Sequence, residues 1–150
     1  MTVRLLRAAY FAAFGFVTAL PLAYAAPARP LDGPSLALIG NWYGIGEPDD
    51  PSISYIDSYF ADGTYHAEFR KCVRNEVVWH ETHTGTWSLR NGVLQMLTKT
   101  IEGKPMPYEN NYRIEQASPD EFHARLTDSG FLFIEKRIQK AEFPPCYVGA

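Results

Sequence analysis

The stretch Thr84 to Met96, TGTWSLRNGVLQM, decides how the rest of the chain is read. Asn91-Gly92 is a two-residue hairpin signal, because both positions accept the left-handed backbone that such a turn needs. Apolar residues alternate on either side of it. Leu89 is set opposite Leu94, Trp87 opposite Met96, Gly85 opposite Thr98 and His83 opposite Thr100. Strict period-two alternation around a tight turn is the mark of paired antiparallel strands, one face buried and one wet.

Working outward, the same pattern recurs. Asp62-Gly63 predicts another hairpin, pairing Phe60 with Tyr65, Ser58 with Ala67 and Ile56 with Phe69 on an inward face. Tyr55, Asp57, Tyr59, His66, Glu68 and Arg70 then fall on the outer face. Ser129-Gly130 predicts a third hairpin, with Leu126 opposite Phe133 and Ala124 opposite Glu135. Strands are expected over 37–45, 53–60, 64–71, 76–89, 93–102, 108–116, 121–127 and 131–138. Short connections favour pairing in sequence order. Closing eight such strands into an up-and-down antiparallel barrel removes the exposed edges. A two-sheet sandwich is the structural alternative.

The first residues read differently. Arg4 and Arg7 precede an apolar run from Ala8 to Leu22 and a small-x-small site at Ala23-Tyr24-Ala25. This is the layout of a secretory signal peptide over 1–25. The run is short of the roughly 20 apolar residues that span a bilayer, so no membrane span is expected after cleavage. A proline-rich lead-in over 26–35 and one barrel domain with a tail, 36–150, complete the expected organisation. The 125 residues beyond Ala25 carry 12 Lys and Arg against 17 Asp and Glu, a net charge of −5. That balance gives no electrostatic reason to bind nucleic acid or an anionic membrane. In an exported chain the two cysteines, Cys72 and Cys146, predict one disulfide that ties the tail to the middle of the chain. Its long loop would be worth roughly 4 kcal/mol in the chain-entropy model. A periplasmic or secreted location follows.

With Trp87 and Leu89 inward, unbroken parity places Val77, Trp79, Glu81 and His83 inward as well. Thr100 lies across the hairpin. Tyr108, Asn110, Tyr112 and Ile114 share a face on the sixth strand, and Glu135 shares one with Phe133. A mostly apolar interior with Trp79, Glu81, His83, Thr100, Tyr108, Tyr112 and Glu135 at one end is how a small-molecule pocket is built. The alternative is a bulge at Gly85 that flips the parity and turns Glu81 and His83 into rim residues. No nucleophile elbow is present, and Glu81 with His83 reads as a hydrogen-bonded pair, so no catalytic residue is assigned. The segment WHETH, Trp79 to His83, is not a metal motif on a strand, since His80 and His83 point to opposite faces. No metal or cofactor is expected.

The segment GNW, Gly40 to Trp42, matches the G-x-W of the first strand in calycins. YFADGTYHAEF, Tyr59 to Phe69, and TGTWSLRNGVLQM resemble hairpins of small, exported bacterial lipocalin-like domains. From the residues themselves, Trp42 supplies a large buried surface and Gly40 admits a close neighbour. The resemblance implies that Arg137 packs across Trp42 and closes one barrel end. It also implies a tail-to-barrel disulfide like that between Cys72 and Cys146, and a small, largely apolar or amphipathic ligand inside. A filled barrel acting through its surface, with Tyr55 and Tyr59 beside His66, is the second expectation. GNWYGIG also resembles the opening of nitrobindin-like haem barrels, whose haem is held by a late histidine. Here that residue is His123, which alternates with Phe122 and Ala124 and is expected to point outward.

Overall fold

The computed structural model describes residues 37–146. The expected signal peptide and the whole of the lead-in lie outside the described residues, as do the last four residues of the tail. Eight strands form one closed barrel, each paired antiparallel with its neighbour in sequence and β8 with β1. They are β1 (Gly40–Ile45), β2 (Ile53–Tyr59), β3 (Thr64–Val73), β4 (Glu76–Arg90), β5 (Val93–Ile101), β6 (Lys104–Ala117), β7 (Glu121–Leu126) and β8 (Leu132–Ile138). The expected up-and-down barrel is what forms. Among the described residues no helix is long and apolar enough to cross a membrane.

One end is closed by the β1 tryptophan. Trp42 is fully buried and its indole N–H donates to the Leu38 carbonyl at 2.7 Å. Phe122 meets it edge-on at 4.7 Å, and the Arg137 guanidinium lies 4.0 Å above its ring. Arg137 also donates to the carbonyls of Ala37, Ile39 and Pro119, stitching the entry to β1 and the β6–β7 turn to β8. A Cβ on Gly40 would run into that guanidinium, and its backbone φ of +130° is costly for any other residue. Trp87 packs nearby, edge-on to Tyr59 at 5.3 Å, its N–H on the Phe60 carbonyl at 3.1 Å.

The β4–β5 hairpin keeps its expected register from Leu89–Leu94 to Gly85–Thr98. The β2–β3 hairpin does not. Tyr59 pairs with Tyr65, Asp57 with Ala67 and Tyr55 with Phe69, one residue away from the expected pairing on β2. The turn is longer than two residues. Gly63 N–H donates to the Phe60 carbonyl at 3.1 Å and Phe60 N–H to the Thr64 carbonyl at 2.9 Å, a three-residue loop with Gly63 left-handed. One extra loop residue on the β2 side flips every β2 side chain. Tyr55, Asp57 and Tyr59 therefore point inward, and Phe60 is 48% exposed. This correction removes the tyrosines from the expected interaction surface and reshapes the pocket.

In the third hairpin the loop is also longer, with Leu126 N–H bonded to the Phe131 carbonyl at 2.9 Å. Ala124 pairs with Phe133 and Phe122 with Glu135. The shift is two residues, so parity survives and Ala124, Phe133 and Glu135 stay inside.

Cys72 and Cys146 are joined in a disulfide across 74 residues of sequence. It anchors the tail against the outside of the barrel. There Arg70 donates to the Pro144 carbonyl, lies 4.2 Å from the Phe143 ring centroid and reaches Ser54 at 3.4 Å. Cutting the bridge frees a long loop in the unfolded chain and releases these tail contacts. The double Cys72→Ser, Cys146→Ser variant should lose about 2–4 kcal/mol. Urea midpoints measured with and without reductant check this, and unchanged midpoints would show that the tail contributes nothing.

Candidate functional site

The barrel encloses a cavity of about 270 Å³. Ala67, Leu94, Met96, Ala124 and Phe133 give it an apolar wall. The β1–β2 loop contributes Glu47, Pro48, Asp49 and Asp50 to its lining. That loop is held by reciprocal Glu47–Asp50 backbone bonds at 3.1 Å and by Lys71, whose ammonium reaches Asp50 at 2.6 Å.

Six of the seven expected pocket residues converge here: Trp79, Glu81, His83, Tyr108, Tyr112 and Glu135. Trp79 is 37% exposed, and Glu135 is deeply buried. Thr100 does not join them. It bonds Thr84 hydroxyl to hydroxyl at 2.7 Å on the exposed face. Between the Gly85–Thr98 and Thr84–Thr100 pairs the ladder skips Lys99, so the extra residue sits on β5. Parity on β4 therefore runs unbroken past Gly85, keeping Glu81 and His83 inside. Parity on β5 flips, which turns Thr100 out and leaves Thr98 as the inward threonine, bonded to the Tyr65 hydroxyl. Val77 is a second departure. The β3–β4 ladder skips Val78, and Val77 is exposed rather than inward.

His83 is the hub of a short chain. Tyr108 meets its Nδ1 at 2.9 Å, Glu81 meets its Nε2 at 2.7 Å, and its ring packs 4.6 Å from Phe69. Both ring nitrogens are engaged, which fixes the imidazole as part of the wall. His123 lies on the other face of β7 from Phe122 and Ala124, bonded to Glu121 at 2.9 Å. His66 and His80 share Glu68, each at 3.6 Å. Among the described residues no group of three or more His, Cys, Asp or Glu is arranged to hold a metal ion.

The flipped β2 adds what the sequence reading missed: Tyr55, Asp57 and Tyr59, with Glu47 from the loop. Three of the carboxyl groups lining the cavity, Glu47, Asp57 and Glu135, are perturbed by burial. Burial pushes all three up. Glu47 rises to about 7, with Asp57 and Asp49 adding to the effect. Asp57 rises through burial, partly offset by the Tyr59 hydroxyl. Glu135 is raised as well, through burial and then the nearby Asp57 and Glu47. Tyr112 and Tyr55 are raised by burial as well, and both feel the same carboxylates. An Asp in the middle of a strand of β-formers was the available signal, since Asp is depleted in strands and needs a reason to be there.

A scan against protein-family models finds no match, and a search of curated proteins finds none either.

Proposed function

We propose that this is an exported, lipocalin-like barrel that binds one small, largely apolar molecule in its interior, as a carrier or receptor and not as an enzyme. The observation that carries this is the cavity itself, about 270 Å³ of space lined mostly by apolar and aromatic side chains. An apolar cavity of roughly 150 Å³ already admits benzene, so a ligand of modest size fits. The Trp42–Arg137 closure and the tail disulfide support the lipocalin-like reading. The disulfide also fits an oxidising compartment, in keeping with the leader-like first 25 residues. Binding is favoured over catalysis because His83, the base with the best position, has both nitrogens tied to Glu81 and Tyr108.

Toluene tests the reading directly. Titration followed by NMR should move the methyl signals of Leu94, Met96 and Ala124 saturably, and Ala124→Phe should weaken binding by at least about tenfold. Unmoved signals, together with a native mass equal to that of the bare polypeptide, would overturn the ligand-binding reading.

A further inference from the structure

Three buried polar atoms on one wall of the cavity have no protein partner: Tyr55 Oη, Asp57 Oδ1 and Glu135 Oε2. Their residues are 2%, 7% and 4% exposed, and all three line the cavity. The register brings them together. Gly44 of β1 pairs with Tyr55 on one side and with Glu135 on the other. A Cβ on Gly44 would overlap the Tyr55 ring and hydroxyl, so the phenol lies over the bare glycine between its own strand and that of Glu135. Asp57 is two residues further along β2, on the same face as Tyr55, and pairs with Trp42 as Gly44 pairs with Tyr55. The missing side chain at Gly44 makes the room for the Tyr55 phenol, beside the strand that carries Glu135.

Buried carboxyl groups are expensive unless something pairs with them. Among the described residues no lysine or arginine lines this cavity. The histidine that does, His83, is already committed to Glu81 and Tyr108. Asp57 has one weak protein partner, the Tyr59 hydroxyl at 3.5 Å from Oδ2. What would pair with the free oxygens is a positive charge carrying N–H donors.

We propose, building on the ligand-binding reading above, that the barrel's ligand is a small organic cation: a protonated primary amine on an apolar or aromatic body. The ammonium sits among Asp57, Glu135 and Tyr55, where its three N–H donors match three unpartnered oxygens. The body lies against Ala67, Leu94, Met96 and Ala124. Tyr59 and Tyr112 line the same cavity, and an aromatic ring beside the ammonium adds attraction for the charge. A neutral molecule of the same shape would leave both carboxyl groups unpaired, and a site built for hydrogen bonds discriminates against such a ligand.

Two probes of nearly equal shape separate the possibilities: 2-phenylethylamine and 2-phenylethanol, titrated calorimetrically at about pH 7.5, where an alkylamine is protonated. The amine should bind at least about tenfold more tightly than the alcohol. Asp57→Asn and Glu135→Gln should each weaken the amine by about tenfold or more and leave the alcohol within about threefold. Both variants replace a buried ionisable carboxyl group by a neutral amide, and circular dichroism checks that they fold. Equal affinities for amine and alcohol in the unmodified protein would overturn the cation inference and leave the pocket standing. So would a protein that takes up toluene and ignores the amine. Failure of toluene, amine and alcohol together would overturn the pocket itself.

Discussion

The ligand-free protein should lose several kcal/mol of stability between about pH 5 and about pH 8. The cause is the trio of cavity carboxyl groups, Asp57 and Glu135 buried and Glu47 half-buried. In the unfolded chain Glu47 and Glu135 titrate near 4.5 and Asp57 near 3.8; in the folded barrel all three are raised. At pH values between the two states, the folded protein holds protons that the unfolded chain has released. The stabilising contribution of each group is complete below its unfolded pKa and is lost as pH climbs through its folded pKa. For Glu47 that window runs from 4.5 to about 7, and the Glu135 contribution is likewise lost as pH rises above its unfolded value. One pKa unit is about 1.4 kcal/mol, so Glu47 alone accounts for on the order of 3 kcal/mol. Urea unfolding at several pH values measures the slope. The Asp57→Asn, Glu135→Gln double variant should flatten the curve and be the more stable protein at pH 8. A flat curve for the unmodified protein would mean that these carboxyl groups are as hydrated in the barrel as in the unfolded chain. An amine ligand would oppose the alkaline loss, because binding to the folded state adds stability by mass action.

The same residues show how far the sequence could be read. Alternation around Asn91-Gly92 placed Trp87, Leu94 and Met96 correctly, because that turn admits a single register and one face is wet. Around Asp62-Gly63 the alternation misled. Ile56 is 1% exposed on the outer side of β2, and Ser54 and Ser58 beside it are buried. The inner side, with Tyr55, Asp57 and Tyr59, is buried too. With both faces covered and the tail running past Arg70 and Ser54, hydrophobicity no longer tells inside from outside. The turn then decides the register, and a dipeptide does not distinguish a two-residue from a three-residue loop. The pocket inherited the error. Glu81, His83, Tyr108, Tyr112 and Glu135 were legible by parity alone. Asp57 and Tyr55, which carry the electrostatics, were hidden by one residue of slip. Thr100 was lost to the bulge at Lys99, for which Lys99 itself gives no sequence signal.

Trp42→Ala should cost about 3–5 kcal/mol, the range for removing a fully buried large aromatic. Arg137→Ala should cost about 2 kcal/mol or more, because the guanidinium both covers the indole and satisfies three carbonyls at the barrel's closed end. The double variant should be less damaged than the sum by about 1–2 kcal/mol. Once the ring is gone, the cation has no face to cover; once the cation is gone, the ring has already lost part of its lid. Arg137→Lys separates the two roles. A lysine keeps the charge but not the planar fork that stacks and donates in several directions, so its loss should fall between those of arginine and alanine. Chemical denaturation of the four proteins of the cycle, at one pH, provides the numbers. Additivity within about 0.5 kcal/mol would mean that the stacked contact contributes nothing and that Arg137 acts through its carbonyls alone. The cycle also tests Gly40. Its φ of +130° and the space taken by the guanidinium make Gly40→Ala strained on two counts. In the Arg137→Ala background only the backbone count remains, so the penalty for Gly40→Ala should shrink there without vanishing.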